Sequence, residues 1–326
     1  MTEKITMLHG SGGAATGELI QHIFAKAFDN PVLAGMEDAA VVAGAGRLAV
    51  TTDSFVVTPL FYKGGDIGRL SVCGTVNDLL MRGASPEYLT CAFILEEGLP
   101  VDVLSKVAAS MARTAKEAGV TIICGDTKVV EGRGGLYINT TGVGFVPEGC
   151  DIAAANARPG DKILVSGTLG DHHATILSAR LAVENEIESD NAPLVEMVSA
   201  IRPFRVHCLR DITRGGLATV LCELAEASGR AFSIREDKLP VQAAVKDFCG
   251  ILGLDPLYMG NEGKLAAVVS ADDADAVLAA IKASRYGGSA ALIGEVKEGS
   301  GVTITTAIGG RRRLTVLQDE GLPRIC

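Results

Sequence analysis

Residues 47–98 read RLAVTTDSFVVTPLFYKGGDIGRLSVCGTVNDLLMRGASPEYLTCAFILEEG, and this stretch decides the fold. RLAVTTDSFVV (47–57) is rich in β-branched residues and reads as a strand; YLTCAFILEE (88–97) reads as another. Between them IGRLSVCGTVNDLLMRGA (67–84) has helical spacing and meets glycine at its end, so it reads as a helix. Outward from there the alternation continues: VDVLSKVAASMARTAKEAG (101–119) is a long amphipathic helix, and VTIICGDTKVV (120–130) and LYINTTGVGFV (136–146) are further strands. A Pro/Gly turn in CDIAAANARPGDKILVSG (150–167) places a domain boundary near residue 155. Beyond it come KILVSGT (162–168), a helix from about Asp171, a helix in GGLATVLCELAEASG (215–229), KLAAVVS (264–270), the helix DDADAVLAAIKASR (272–285), AALIGEV (290–296) and VTITTAI (302–308). The expected class is α+β, with two mixed α/β domains at 1–155 and 156–315 and an extended tail at 316–326.

Composition narrows the function. With 326 residues, 48% hydrophobic and 21% charged, the chain fills a real core. A net charge of -9, 4% aromatics and no Trp argue against a nucleic-acid partner. MTEKITMLHG lacks an apolar leader core, and no later run has the length of a membrane span, so the expected location is cytoplasmic. Cys73, Cys91, Cys124, Cys208, Cys222 and Cys249 lie in apolar stretches and read as small buried hydrophobes. No CxxC pair marks a zinc site.

Glycines and acids recur together in HGSGG (9–13), GGD (64–66), CGDTK (124–128), SGTLGDHH (166–173), RDITRGG (210–216) and GNEGK (260–264). Glycine lets backbone N–H groups approach an anion, and carboxylates hold Mg²⁺ against phosphate oxygens. Asp38, Asp53, Asp78, Asp126 and Asp211 all abut apolar runs, where a carboxylate needs a partner. Singly each is an N-cap or an ion pair, and each glycine pair a turn. Together they point to Mg²⁺–ATP, although neither a Walker A motif nor GxGxxG after a strand occurs.

The segments TTDSFVVTPLFYKGGDIGRLSVCGTVNDLLMRGASPEYLTCAFILEEG, GDTKVV, RDITRGGLA, GNEGK and the final PRIC resemble the HypE family, hydrogenase-maturation members of the superfamily of aminoimidazole ribonucleotide synthetase and selenophosphate synthetase. That resemblance implies ATP-dependent dehydration of a carbamoyl group on Cys326 to a thiocyanate. The carbamoyl donor would be the carbamoyltransferase HypF, and the cyanide would pass to iron on a HypC–HypD scaffold. It implies a homodimer paired through the N-terminal, ATP-binding domains. Carried over by position, Asp38, Asp53, Asp78 and Asp211 would hold metal, and Gly10, Gly12 and Gly13 would cover the nucleotide. Asn77 and Thr213 would support the acids, and Asp126 would join Asp53 on the nucleotide. Lys128 and Glu262 would approach the modified tail, with Glu262 the favoured base. His173 departs from the family's glycine and is expected in an exposed loop; Ile212 stands where the family often has Pro.

Two other readings are open. A selenophosphate synthetase needs a reactive cysteine in the N-terminal glycine segment, and LHGSGGAATG has none. A non-catalytic thiol carrier explains Cys326, set on a semi-rigid arm by Pro323, but leaves the acidic residues unused.

Overall fold

The structure, a computed structural model, describes residues 4–10, 14–35, 40, 42–44 and 46–317. Gly12, Gly13, Asp38 and the tail from 318 to Cys326 lie outside the described residues.

After a short helix α1 (Ala14–Leu19), the first half runs β1 (Leu48–Phe55), β2 (Phe61–Tyr62), β3 (Gly65–Asp66), α2 (Ile67–Met81), β4 (Ser85–Glu96), α3 (Val101–Ala118), β5 (Thr121–Val130) and β6 (Leu136–Phe145). Four of these strands form a sheet in the order β1-β6-β4-β5. Only β4 and β5 pair in parallel, and α3 supplies the crossover that a parallel pair requires. α2 starts where Asp66 accepts the backbone N–H groups of Gly68 and Arg69 at 2.8 and 3.0 Å. It stops before Gly83, whose φ of +68° suits glycine. The GGD motif therefore caps a helix.

The second half runs β7 (Lys162–Val165), α4 (Asp171–Leu181), α5 (Val195–Ile201), β8 (Val206–Asp211), α6 (Gly216–Ser228), β9 (Ala231–Arg235), α7 (Ala243–Leu252), β10 (Leu265–Val269), α8 (Ala274–Ala283), β11 (Ala291–Lys297), β12 (Gly301–Thr305) and β13 (Arg311–Leu314). Its seven-stranded sheet has the order β13-β12-β9-β11-β7-β10-β8, with β9 and β12 the one parallel pair. Two mixed sheets with helices, the α+β architecture read from the sequence, are thus present.

α2 joins the halves. Every residue of it except Arg69 and Asp78 is buried, because it packs on β1, β4, β6 and α3 on one side and on β8 and α5 on the other. A helix apolar on all sides is an interior helix. The core is accordingly continuous, running from Leu70 and Val76 to Leu164, Met197 and Leu209. Cys73, Cys91, Cys208 and Cys249 are buried as expected, whereas Cys124 and Cys222 are partly exposed.

Candidate active site

β1 and β8 are edge strands of their sheets, and α2 lies against both. Alternation along β1 turns Thr51 and Asp53 toward α2 and Thr52 and Ser54 outward. Asp78 is the acidic residue of α2, and Asp211 ends β8. Thr51 Oγ1 donates to Asp78 Oδ2 at 2.8 Å. A cavity of about 250 Å³ opens between the three elements, lined by Thr51, Asp78, Arg82, Ala154, Arg210 and Asp211.

Burial, then the charges of Asp211 and Asp53, pushes the Asp78 carboxyl up to about 7. Burial likewise pushes Asp211 up to about 6, against the opposing pull of Arg210. These acids are too close to ionise together without help. Their donor set is oxygen only, and a hard divalent cation would replace the proton that now relieves their repulsion. Among the described residues no three such groups converge tightly enough to encage an ion. A cation here would complete its shell with water and substrate oxygens, as Mg²⁺ commonly does.

Glu262 faces Asp53 and Asp211. It is 6% exposed, and burial, then the charges of Asp190, Asp211 and Asp53, holds its carboxyl well above the usual range, with Arg214 opposing. Asp190 holds its loop: Oδ1 accepts the Glu262 N–H at 3.1 Å and Oδ2 the Gly263 N–H at 3.3 Å. Lys264 Nζ lies 3.3 Å from the same Oδ2, with both side chains buried. Gly167 makes room for this lysine, since a Cβ there would meet its Cε at 2.7 Å. Neither Asp190 nor Lys264 was singled out in the sequence; only the position of Lys264 within GNEGK hinted at it.

Asn77, one residue from Asp78, looks the other way. Its Nδ2 donates to the Ala192 carbonyl at 3.0 Å and its Oδ1 accepts the Leu194 N–H at 2.9 Å. Thr213 lies in the turn after Asp211, its carbonyl accepting the Gly216 N–H at 3.0 Å. Ile212 leaves that turn in register and adds to it, because its N–H donates to the Lys264 carbonyl at 2.8 Å. Proline has no N–H to make that bond.

Asp126 and Lys128 lie elsewhere, and Gly10 packs on the other face of their strand. Lys128 pairs with Ile94 and Asp126 with Ala92 across β5 and β4, on the outward face of the first sheet. Their side chains form an exposed ion pair at 2.9 Å. Gly10 packs onto the same strand, where a Cβ would come 2.8 Å from that of Val129. Within one chain, then, the first sheet separates Lys128 and Asp126 from Asp53, Asp78 and Glu262.

The expectation for His173 is corrected. His172 and His173 both lie in α4, 0% and 3% exposed, and burial lowers both to about 4, so both are neutral. His172 Nδ1 and Ser189 Oγ are 2.7 Å apart, and Tyr62 stands edge-on to its ring at 5.4 Å. The second glycine of SGTLGDHH, not the histidine pair, makes the turn: Gly170 has φ +86°.

Comparison with known proteins shows the family. Residues 36–146 match the family described as AIR synthase related protein, N-terminal domain, and 158–307 its C-terminal domain. Carbamoyl dehydratase HypE of Cupriavidus necator is 51% identical over 99% of this chain and 95% of its own length. The protein of the same name from Escherichia coli is 48% identical over 99% of both. A crystal structure of hydrogenase maturation protein HypE in complex with ATP superposes with a TM-score of 0.95 at 46% identity, covering 98% of this chain and 99% of that one. One of a HypE–HypF complex gives 0.82 at 48%, covering 94% and 100%. The chain, matched over nearly its whole length by these relatives, belongs to the carbamoyl dehydratase HypE family of hydrogenase maturation proteins.

Proposed function

We propose that the chain uses ATP to dehydrate a carbamoyl group carried on the Cys326 thiol, giving a thiocyanate, ADP and phosphate. The observation that carries this reading is the buried Glu262 carboxyl facing Asp53 and Asp211, the two acids that also face Asp78 at the seam of the two sheets.

The carboxamide oxygen is a poor leaving group until it bears phosphate. That oxygen attacks the γ-phosphorus of ATP, the bond to ADP breaks, and an O-phosphorylated imidate remains on sulfur. Loss of the remaining N–H proton then closes the C≡N bond as the C–O bond breaks and phosphate leaves. The atoms of water thus depart in the phosphate and the released protons. Glu262 takes a proton in this sequence: burial and the neighbouring acids raise its proton affinity, and its burial keeps water from the imidate. Asp53, Asp78 and Asp211, with Asp38, would hold Mg²⁺, which screens the charge on the transferring phosphoryl group. Thr213 sits beside Asp211. Gly10, Gly12 and Gly13 would close over the nucleotide.

The same reading gives units at 1–155 and 156–315 with the tail at 316–326, HypF as carbamoyl donor, a HypC–HypD scaffold as cyanide acceptor and a cytoplasmic setting. It also includes a homodimer. Leu48, Val50 and Ile94 are exposed on the outward face of the first sheet, and two copies joined there would bring Lys128 and Asp126 to the interface, near the nucleotide.

The direct test is the mass of the C-terminal peptide after carbamoylation and again after Mg²⁺–ATP. Loss of the mass of one water supports dehydration; an unchanged carbamoyl mass with ATP consumed refutes it.

The acids also set a stability cost. Asp78 and Asp211 have folded-state pKa values raised above the ordinary carboxylate range, so the native state binds more protons than the unfolded chain between that range and about 7. Stability of the metal-free protein therefore falls as pH rises through this window. Asp78→Asn should stabilise the metal-free protein at pH 8 by about 1–2 kcal/mol, a gain of several degrees in Tm. It should also weaken Mg²⁺-dependent ATP binding by at least about tenfold. Thermal melts with and without Mg²⁺–ATP check both; a variant that melts lower and binds normally contradicts the assignment.

A further inference from the structure

Building on the reading of Glu262 as the base, we propose that Asp190 is a positioning residue for dehydration, holding Glu262 in register with the helix that carries Asp78. The segment 188–194 is bonded in both directions. Toward the first half, the Ser189 N–H donates to the Lys63 carbonyl at 3.0 Å, and Arg69 Nε donates to the Asn191 carbonyl at 2.8 Å. Asn191 Nδ2 donates to the Tyr62 hydroxyl at 3.1 Å, and Asn77 clamps the Ala192 carbonyl and the Leu194 N–H. Toward the second half, the two Asp190 oxygens take the Glu262 and Gly263 N–H groups and face Lys264. The packing there leaves no slack: a Cβ on Gly263 would stand 1.9 Å from the Asp190 carbonyl oxygen.

The Asp190 side chain is 3% exposed, so water does not replace its oxygens cheaply. Asn77 and Asp78 are neighbours on α2, one turned to this segment and the other to the acids. The segment therefore links the helix that carries Asp78 to the loop that carries the base, and its last links are the Asp190 carboxylate and the Ala192 N–H, which donates to the Glu262 carbonyl at 3.4 Å. A shift of the base by about 1 Å is enough to cost about 100-fold in rate.

The test uses the full chain, carbamoylated on Cys326, in single-turnover dehydration at saturating Mg²⁺–ATP. Asp190→Ala is expected to slow dehydration about 100-fold and Asp190→Asn, which keeps one acceptor, about tenfold. ATP affinity by calorimetry should stay within about twofold in both. A further readout separates positioning from general damage. In a Glu262→Gln background Asp190→Ala should change the residual rate by less than about twofold, because a residue acting through Glu262 has nothing left to act on. If Asp190→Ala does not fold, the near-isosteric Asn variant carries the test in the same two backgrounds. Wild-type rates in the Asp190 variants, or an equal penalty with and without the Glu262 carboxylate, overturn the inference. A wild-type chain that fails to dehydrate its carbamoyl group overturns the reading of Glu262 beneath it; an active wild type with indifferent Asp190 variants overturns this inference alone.

Discussion

Glu262→Gln will lower single-turnover dehydration by about 10²–10⁴-fold while leaving ATP affinity unchanged, because it removes one proton acceptor and keeps the volume of the side chain. The buried carboxyl is held above its usual range first by desolvation and then by Asp190, Asp211 and Asp53. A base must be deprotonated to act, so wild-type activity should fall as pH drops through that raised value. The variant should lack this acidic limb. Peptide mass against time, across pH, measures both effects. A Glu262→Gln enzyme with the wild-type rate and limb would transfer the role of base to another group. Lys128 would then be the candidate, reached from a second copy because the sheet lies between them in one chain.

A second large effect belongs to the tail. Cys326→Ala should abolish cyanide formation and leave Mg²⁺–ATP binding intact; a cyanated product from this variant would show that another cysteine carries the group. Inserting one glycine between Pro323 and Arg324 should slow dehydration by at least about 100-fold with the thiol still alkylatable, because one residue displaces the reacting carbon by roughly 3.3 Å. The structure fixes the root of this arm. The Leu317 N–H donates to Thr219 Oγ1 at 3.3 Å, and the Tyr258 hydroxyl donates to the Thr315 carbonyl at 3.2 Å. Thr219 lies in α6 and Tyr258 shortly before the loop of Glu262, so the arm is rooted on the second half. Residues 318–326 reach at most about 30 Å. Full single-turnover dehydration by the insertion variant would show that the thiol is merely displayed, as a carrier would display it.

What the sequence disclosed follows from what is local. α2 was legible because its helical spacing and its glycine stop are local signals, and β1 because its β-branched residues are. The acids Asp53, Asp78 and Asp211 were legible as chemistry because each interrupts an apolar run. Which face Lys128 takes was not. Ile122 and Ile123 are both buried and the register shifts between Leu89 and Thr90, so parity counted along β5 is lost. His173 reads as polar in the chain, and only the packing of α4 buries it. Asp190 sits in ESDNAP, an ordinary loop composition, and its partners Glu262 and Gly263 are distant in sequence.

The burial of α2 on nearly every side also bears on how the protein is made. When the ribosome has finished the first sheet, the side of α2 that will meet β8 and α5 has no partner, since both are translated later. A nascent first half therefore shows an apolar helix face until the second half arrives, the exposure that chaperones shelter and that aggregation exploits. Asn77 waits with it, its amide unpaired until Ala192 and Leu194 emerge. The residue beside Asp78 is thus bonded only once the segment that holds the Glu262 loop has been made, so the two faces of the seam meet only after both halves of the chain are synthesised.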